Sequence, residues 1–275
     1  MNQLKIDYEQ KYKAILESSY VDPLGNVSQP PLALSYGLSG GYNPAPTGIA
    51  SYGNFSFVQA PPKSKKTFFL SLIAASYIGG KTERTGDMIG HREGKKLIHY
   101  DTEQSTFHAQ KVFRRVNDIC GTTEDYYTYA LRAYSAPERL DFIDWHLYNT
   151  DNIGLVIIDG IADLVLDSND LIQSSKLVQY LMKWTQELNI HIITAIHSNW
   201  NSEKPTGHLG SFLEKKAETQ IALELTSDKS VAVAKCKRSR GYSFDDFAFQ
   251  VDPKGLPFIL ESIPDQIDKD KYIKI

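Results

Sequence analysis

The sequence predicts an α/β fold built on a mainly parallel sheet flanked by helices. Short apolar runs alternate with helix-length amphipathic segments from Asn54 to about Gly210, the rhythm of βαβ units. Those runs, such as "LVII" within residues 154–159, lack polar alternation, as strands buried on both faces require. Past Gly210 the rhythm changes to closely spaced strands joined by "TSDK" and "DPKG", which predict antiparallel hairpins added at one end of the sheet.

The elements follow in order. Residues 3–18 set Leu4, Tyr8, Tyr12, Ile15 and Leu16 at helical spacing among charges, predicting a short amphipathic helix. Residues 19–54 contain "DPLGNVSQPP" and "GLSGGYNPAPTG", helix-breaking composition that reads as an extended arm whose tyrosines dock on a surface. "FSFVQ" predicts a strand, and the run from about Lys66 to Ile78 a helix. "KLIHY", "YTYALR", "GLVIID" and "IHIITAI" are the next strands. The helices between them run from about Gln104 to Ile119, across Leu140, Ile143 and Leu147, and across Leu177, Leu181, Trp184 and Leu188. The polar, glycine-studded residues 79–96 read as a surface excursion. A further helix precedes the strands "TQIALEL", "SVAVAKC", "FAFQV" and "PFIL". The expected organisation is a helix and arm over 1–54, a core over 55–262 and a charged tail over 263–275.

Bulk properties bound the function. A chain of 275 residues, 41% hydrophobic and 23% charged, is long enough for one large globular domain and excludes dominant disorder. A net charge of −3 and a pI near 6.2 confine any nucleic-acid contact to a local basic patch or a lined channel. Cys120 and Cys236 form no C-x-x-C pair, which excludes a disulfide scaffold and a cysteine-built zinc site. The first residues lack the order of a secretory signal. The run from Phe68 to Ile78, broken by Ser71 and Ser76, is too short to cross a bilayer. The expectation is a reduced, cytoplasmic protein without a membrane partner.

Residues 60–67, "APPKSKKT", stand between a predicted strand and a predicted helix. A phosphate-binding loop has the pattern G-x-x-x-x-G-K-[ST], and here Ala60 and Lys65 occupy both glycine positions. The cradle itself is made of backbone N–H groups at the positive end of a helix. Lys63, Ser64, Lys65, Lys66 and Thr67 keep theirs, whereas Pro61 and Pro62 have none. A left-handed Lys65 would cost roughly 1–2 kcal/mol relative to glycine, which a fold can absorb. In the nucleotide reading Lys66 reaches the β and γ phosphates and Thr67 coordinates magnesium. The competing reading is a basic loop capping an ordinary helix.

Four other segments bear on that choice. Asp159 ends "GLVIID", the form of the second carboxylate of P-loop ATPases, although a strand ending in Asp is common. Asp101 and Glu103 end "KLIHYDTEQS"; Glu103 is a candidate base for a water attacking the γ-phosphate or a cap for the next helix. His197 and Ser198 end "ITAIHSNW", where they could sense a γ-phosphate or be simply hydrogen-bonded. Lys235, Lys237, Arg238 and Arg240 cluster at a strand end, a solvated edge or the source of an arginine finger for a neighbouring subunit.

The joint order of these motifs resembles the RecA-like ATPases over roughly residues 50–260, and within them the hexameric replicative helicases of the RepA and DnaB type. "PKSKKTFF", "DTEQS", "GLVIIDGI" and "GHLGS" look like RepA-like ATPases of Bacteroidetes mobile elements, in which K-S-K-K-T is the form the loop takes. The resemblance implies ATP and Mg2+ as ligands, with Lys63 to Thr67 around the phosphates. It makes Lys66 and Thr67 phosphate and metal residues, Glu103 the catalytic base, Asp159 the magnesium partner (partly through water) and His197 the sensor. Arg240, with Arg238 as second choice, would be the finger. It further implies a homo-oligomer, a hexameric ring in that group, acting on single-stranded DNA through the loop from Ser198 to Gly207. A primase or relaxase belongs among the partners such a motor works with. That loop carries one lysine and one tryptophan, enough for backbone contact and stacking. Its modest charge keeps a second function open, a nucleotide-binding regulator or loader with little hydrolysis.

Overall fold

The computed structural model describes residues 2–199 and 204–264. They fall into two units, 1–30 and 31–275. In the first, helix α1 spans Asn2–Ser19 and exposes residues 8–19, with the rings of Tyr8 and Tyr12 4.5 Å apart one turn from each other.

The second unit begins with β1 (Leu32–Ser39) and β2 (Ala45–Ser51), paired antiparallel with Leu32 opposite Ser51 and Ser39 opposite Ala45. Residues 31–54 are therefore a β-hairpin and not the extended arm expected of them. Of the residues that read as helix breakers, Gly40, Gly41 and Pro44 form its turn, while Leu34, Ile49 and Ala50 are buried in the same core cluster as Leu70 and Ile73. Tyr52 closes the attachment, sharing a hydroxyl–hydroxyl bond of 2.9 Å with Tyr77. The excursion at 79–96 contributes as well: β4 (Met88–Gly90) adds to β1, and Met88 is fully buried.

The main sheet holds β3 (Phe55–Ala60), β5 (Lys96–Asp101), β6 (Tyr126–Ala130), β7 (Ile153–Asp159), β8 (His191–His197), β9 (Thr219–Leu225), β10 (Val231–Ser239), β11 (Phe247–Val251) and β12 (Pro257–Ile259). Its order is β12-β11-β10-β9-β3-β8-β7-β5-β6. The block from β9 to β6 is parallel, and β10, β11 and β12 extend it antiparallel. Along β7, Leu155 and Ile157 enter one apolar cluster while Val156 and Ile158 enter the other. Both faces are covered, which is why the run shows no polar alternation.

On one face lie α2 (Lys66–Gly79) and α3 (Thr106–Cys120), whose Leu70, Ile73, Val116 and Ile119 join the first cluster. On the other lie α4 (Ala136–Tyr148), α5 (Leu171–Leu188) and α6 (Gly207–Lys216), contributing Ile143, Leu147, Leu177, Leu181, Trp184 and Leu209. Local chemistry starts these helices. Ser135 and Glu138 form a capping box on α4, and the Asp170 carboxylate accepts from the amides of Ile172 and Gln173 at the start of α5. The buried Trp184 indole donates to Asp144 at 2.6 Å and ties α5 to α4. No described helix is long and apolar enough to cross a membrane.

Candidate functional site

Parallel pairing brings the strand ends to one edge. Ala60 pairs with His197, Asp159 with Ala195, and Asp101 with Asp159, so β3, β8, β7 and β5 finish side by side. The carboxyl edge of an open α/β sheet is where such folds bind ligands.

The loop leaving β3 turns into α2 through residues in unusual conformations. Lys65 lies at φ 68° and ψ 21°, left-handed as its glycine position demands, and Lys63 at φ 61° adopts the same region, which the sequence pattern did not indicate. Each conformation costs about 1–2 kcal/mol in a residue with a Cβ. The Ser64 hydroxyl donates to the Pro61 carbonyl and braces the turn. The first amides of α2 have no intrahelical acceptor and meet the positive end of its dipole, an arrangement that holds anions. The Lys65 ammonium points out of this cradle and donates to the carbonyl of Ser230 at 2.5 Å.

Behind the loop the predicted residues converge. Thr67 Oγ1 donates to Asp159 Oδ2 at 2.8 Å. Lys66 Nζ meets His197 Nδ1 at 2.7 Å, and His197 Nε2 stands 3.8 Å from Glu103 Oε1. With Nδ1 accepting from an ammonium, the imidazole is neutral with its proton on Nε2, facing Glu103. Burial pulls the Lys66 pKa down while Glu103 and Asp159 oppose the fall. Burial also lowers His197, reinforced by Lys66. Burial raises Glu103; Lys66 resists this, and Asp163 and Asp101 add to it. The fully buried Asp159 is pushed up to about 7, first by burial and then by Glu103.

Other residues take part, and of these only Asp101 is named by the sequence pattern. Thr102 is buried, with Oγ1 2.8 Å from both the Asp159 carbonyl and Asp163 Oδ2, so it links the ends of β5 and β7. Gly160 allows that approach: its φ is 102°, and a Cβ there would stand 2.4 Å from Thr102 Oγ1. Asp101 is a local anchor whose carboxylate accepts from the amides of Glu103 and Gln104 at 3.1 and 2.8 Å. Arg115 of α3 stacks 4.0 Å over Phe68 and donates to Ser71 Oγ, which donates to the Thr67 carbonyl. The available signals were the threonine inside "DTE" and the second aspartate in "DGIAD".

The basic cluster lies elsewhere. Arg238 pairs with Gln220, Ser239 with Thr219 and Thr219 with Ser56, which puts this end of β10 at the edge opposite the phosphate loop. Lys235 and Lys237 share Glu224, and Arg240 donates to the Lys216 carbonyl at the end of α6. The chain's own Arg238 and Arg240 therefore do not meet its own site. The base of the 198–207 loop is pinned by a Ser198–Pro205 bridge and by Thr206, whose amide and hydroxyl both donate to the His197 carbonyl. Trp200 and residues 201–203 lie outside the described residues, as does the tail from 265 onward.

The donor set fits magnesium held together with a nucleotide. A hydroxyl and one buried carboxylate in contact leave the remaining positions to phosphate oxygens and water, the usual arrangement for this ion. Among the described residues no group of three or more His, Cys, Asp or Glu forms a cage that would hold a metal by itself.

A family model described as "AAA domain" (AAA_25) matches residues 46–203, the stretch that holds the phosphate loop, Glu103, Asp159 and His197. The chain belongs to this AAA domain family. The crystal structure of the RadB recombinase is similar in fold, with a TM-score of 0.54 and 17% identity, covering 76% of this chain and 91% of that one. No curated protein matches the chain. The AAA domain and the shared α/β core give it the fold of a RecA-like P-loop ATPase, with the antiparallel strands following the core.

Proposed function

We propose that this chain is an ATP-hydrolysing motor acting on single-stranded DNA. In this reading it is a helicase or translocase in replication or mobilisation of a mobile element, cytoplasmic and assembled as a homo-oligomeric ring. The observation that carries the reading is the meeting of Lys66, Thr67, Glu103, Asp159 and His197 at one sheet edge, from segments far apart in sequence.

The amides from Lys63 to Thr67 would cradle the phosphates, and Thr67 and Asp159 would hold Mg2+, which supplies charge neutralisation when bound. Lys66, exchanging His197 for a phosphate oxygen, stabilises the charge of phosphoryl transfer. Glu103, its proton affinity raised by burial, accepts the proton of the attacking water. His197 faces both Lys66 and Glu103 and begins the 198–207 loop, so a change at the phosphates reaches the segment assigned to DNA. The finger must come from a neighbouring subunit, because the Arg238 and Arg240 edge lies opposite the loop. Arg240 is the first assignment and Arg238 the second.

Lys66→Ala is expected to abolish nucleotide binding. Glu103→Gln is expected to keep it and to slow phosphate release by about 10²–10⁴-fold. Normal hydrolysis by the Glu103→Gln protein would remove Glu103 from this role. The low charge of the 198–207 loop and the loss of both loop glycines, with Lys65 left-handed in the second glycine position, favour a second reading, a nucleotide-binding regulator or loader. Phosphate release measured with and without single-stranded DNA separates the two, since only the motor responds to DNA.

A further inference from the structure

The feature of the loop that its function does not absorb is the Lys65 side chain. It stands where glycine would relieve the backbone, at φ 68°, and its ammonium reaches away from the cradle to the Ser230 carbonyl at 2.5 Å. The acceptor belongs to the β9–β10 turn, which register places beside the loop: β9 runs parallel to β3, so its carboxyl end arrives at the same edge.

That turn is built to hold its position. Asp228 Oδ1 accepts from Thr226 Oγ1 at 2.6 Å and from the Ser230 amide at 3.0 Å, and Oδ2 accepts from Ser230 Oγ at 2.7 Å. The Thr226 amide donates to Val231, and Lys229 sits at φ 59° to complete the reversal. These bonds fix the Ser230 carbonyl as an acceptor; partial burial lowers the Lys65 pKa, and the nearby Asp228 carboxylate opposes that fall.

We infer that Lys65 is a positioning residue that braces the phosphate loop against the β9–β10 turn, using its side chain to hold a backbone conformation that glycine would adopt unaided. This rests on the nucleotide reading of the loop. Glycine would remove the strain and the brace together. A lysine keeps the strain and offsets it with a tether, so the antiparallel extension of the sheet becomes part of what shapes the cradle.

The test uses the full chain, first without nucleotide, by amide hydrogen exchange. Lys65→Met keeps the Cβ and the aliphatic stem but loses the donor; it is expected to raise exchange across residues 226–231 about tenfold, the scale of one charge-assisted hydrogen bond. Lys65→Arg is expected to restore protection. Asp228→Ala loosens the turn without altering a residue of the loop and is expected to raise exchange at Phe69, whose amide donates to the Lys65 carbonyl. Binding of a fluorescent ATP analogue with Mg2+ then reads the consequence: Lys65→Met and Asp228→Ala each weaken it about tenfold, and the double variant is no weaker than either alone. Unchanged exchange at 226–231 in Lys65→Met, or unchanged exchange at Phe69 in Asp228→Ala, overturns the brace, as does independent addition of the two effects. A wild-type chain that binds no nucleotide overturns the reading of the site instead, and the two exchange measurements still decide the brace.

Discussion

Asp159→Asn separates the needs of the site from the needs of the fold. The wild-type carboxyl, fully buried beside Glu103, titrates at about 7 instead of its ordinary 3.8. The folded chain therefore binds the Asp159 proton more tightly than the unfolded chain does. Stability is greatest below about pH 4, falls as pH rises towards 7, and above that carries the full cost of the buried charge. At about 1.4 kcal/mol per pH unit, the interval sets a ceiling of about 4 kcal/mol. Relaxation around Glu103 and the retained Thr67 bond bring the expectation to roughly 2–4 kcal/mol. Asparagine keeps the volume and an acceptor for Thr67 but never ionises. The variant should thus come closest to wild type below about pH 4 and exceed it at pH 8.5 by roughly 3–7 °C in Tm, without divalent ions. Added Mg2+ and nucleotide should then stabilise wild type and leave Asp159→Asn unmoved. A variant no more stable than wild type at pH 8.5 would refute the claim that Thr67 and Lys66 only partly offset the buried charge of this carboxylate.

Two further substitutions test separate parts of the geometry. Gly160→Ala places a Cβ 2.4 Å from Thr102 Oγ1 at a φ of 102°; it should cost about 2–4 kcal/mol in urea unfolding, and no loss would mean the link between β5 and β7 yields freely. Arg240→Ala removes the donor to the Lys216 carbonyl and should cost about 1 kcal/mol of stability. If Arg240 is also the finger, mixing inactive Arg240→Ala with inactive Lys66→Ala protein should regain ATPase activity at mixed interfaces, and absence of any regain would remove it from that role.

The alternation of strands and helices was legible because burial on both sheet faces writes itself into local runs such as "GLVIID" and into the helical spacing of Leu177, Leu181 and Trp184. Lys66 and Thr67 were legible from their place between strand and helix. The hairpin at residues 32–51 was not, because glycine and proline punctuate hairpins and arms alike; the deciding contacts, such as Tyr52 with Tyr77, span distant parts of the chain. Thr102 was passed over for a related reason: its partners Asp159 and Asp163 lie on another strand and the turn that follows it.

The sequence by itself determined the composition of the edge: which residues end the strands, where a helix dipole begins, and that positions 60 and 65 lack glycine. Only the tertiary structure decided which ends meet. It set His197 between Lys66 and Glu103, sent the Lys65 ammonium to the β9–β10 turn, and carried Arg238 and Arg240 to the opposite edge. Runs and caps are fixed by neighbours a few residues away, whereas sheet order and register are fixed by packing among segments whose separation along the chain carries no record of it.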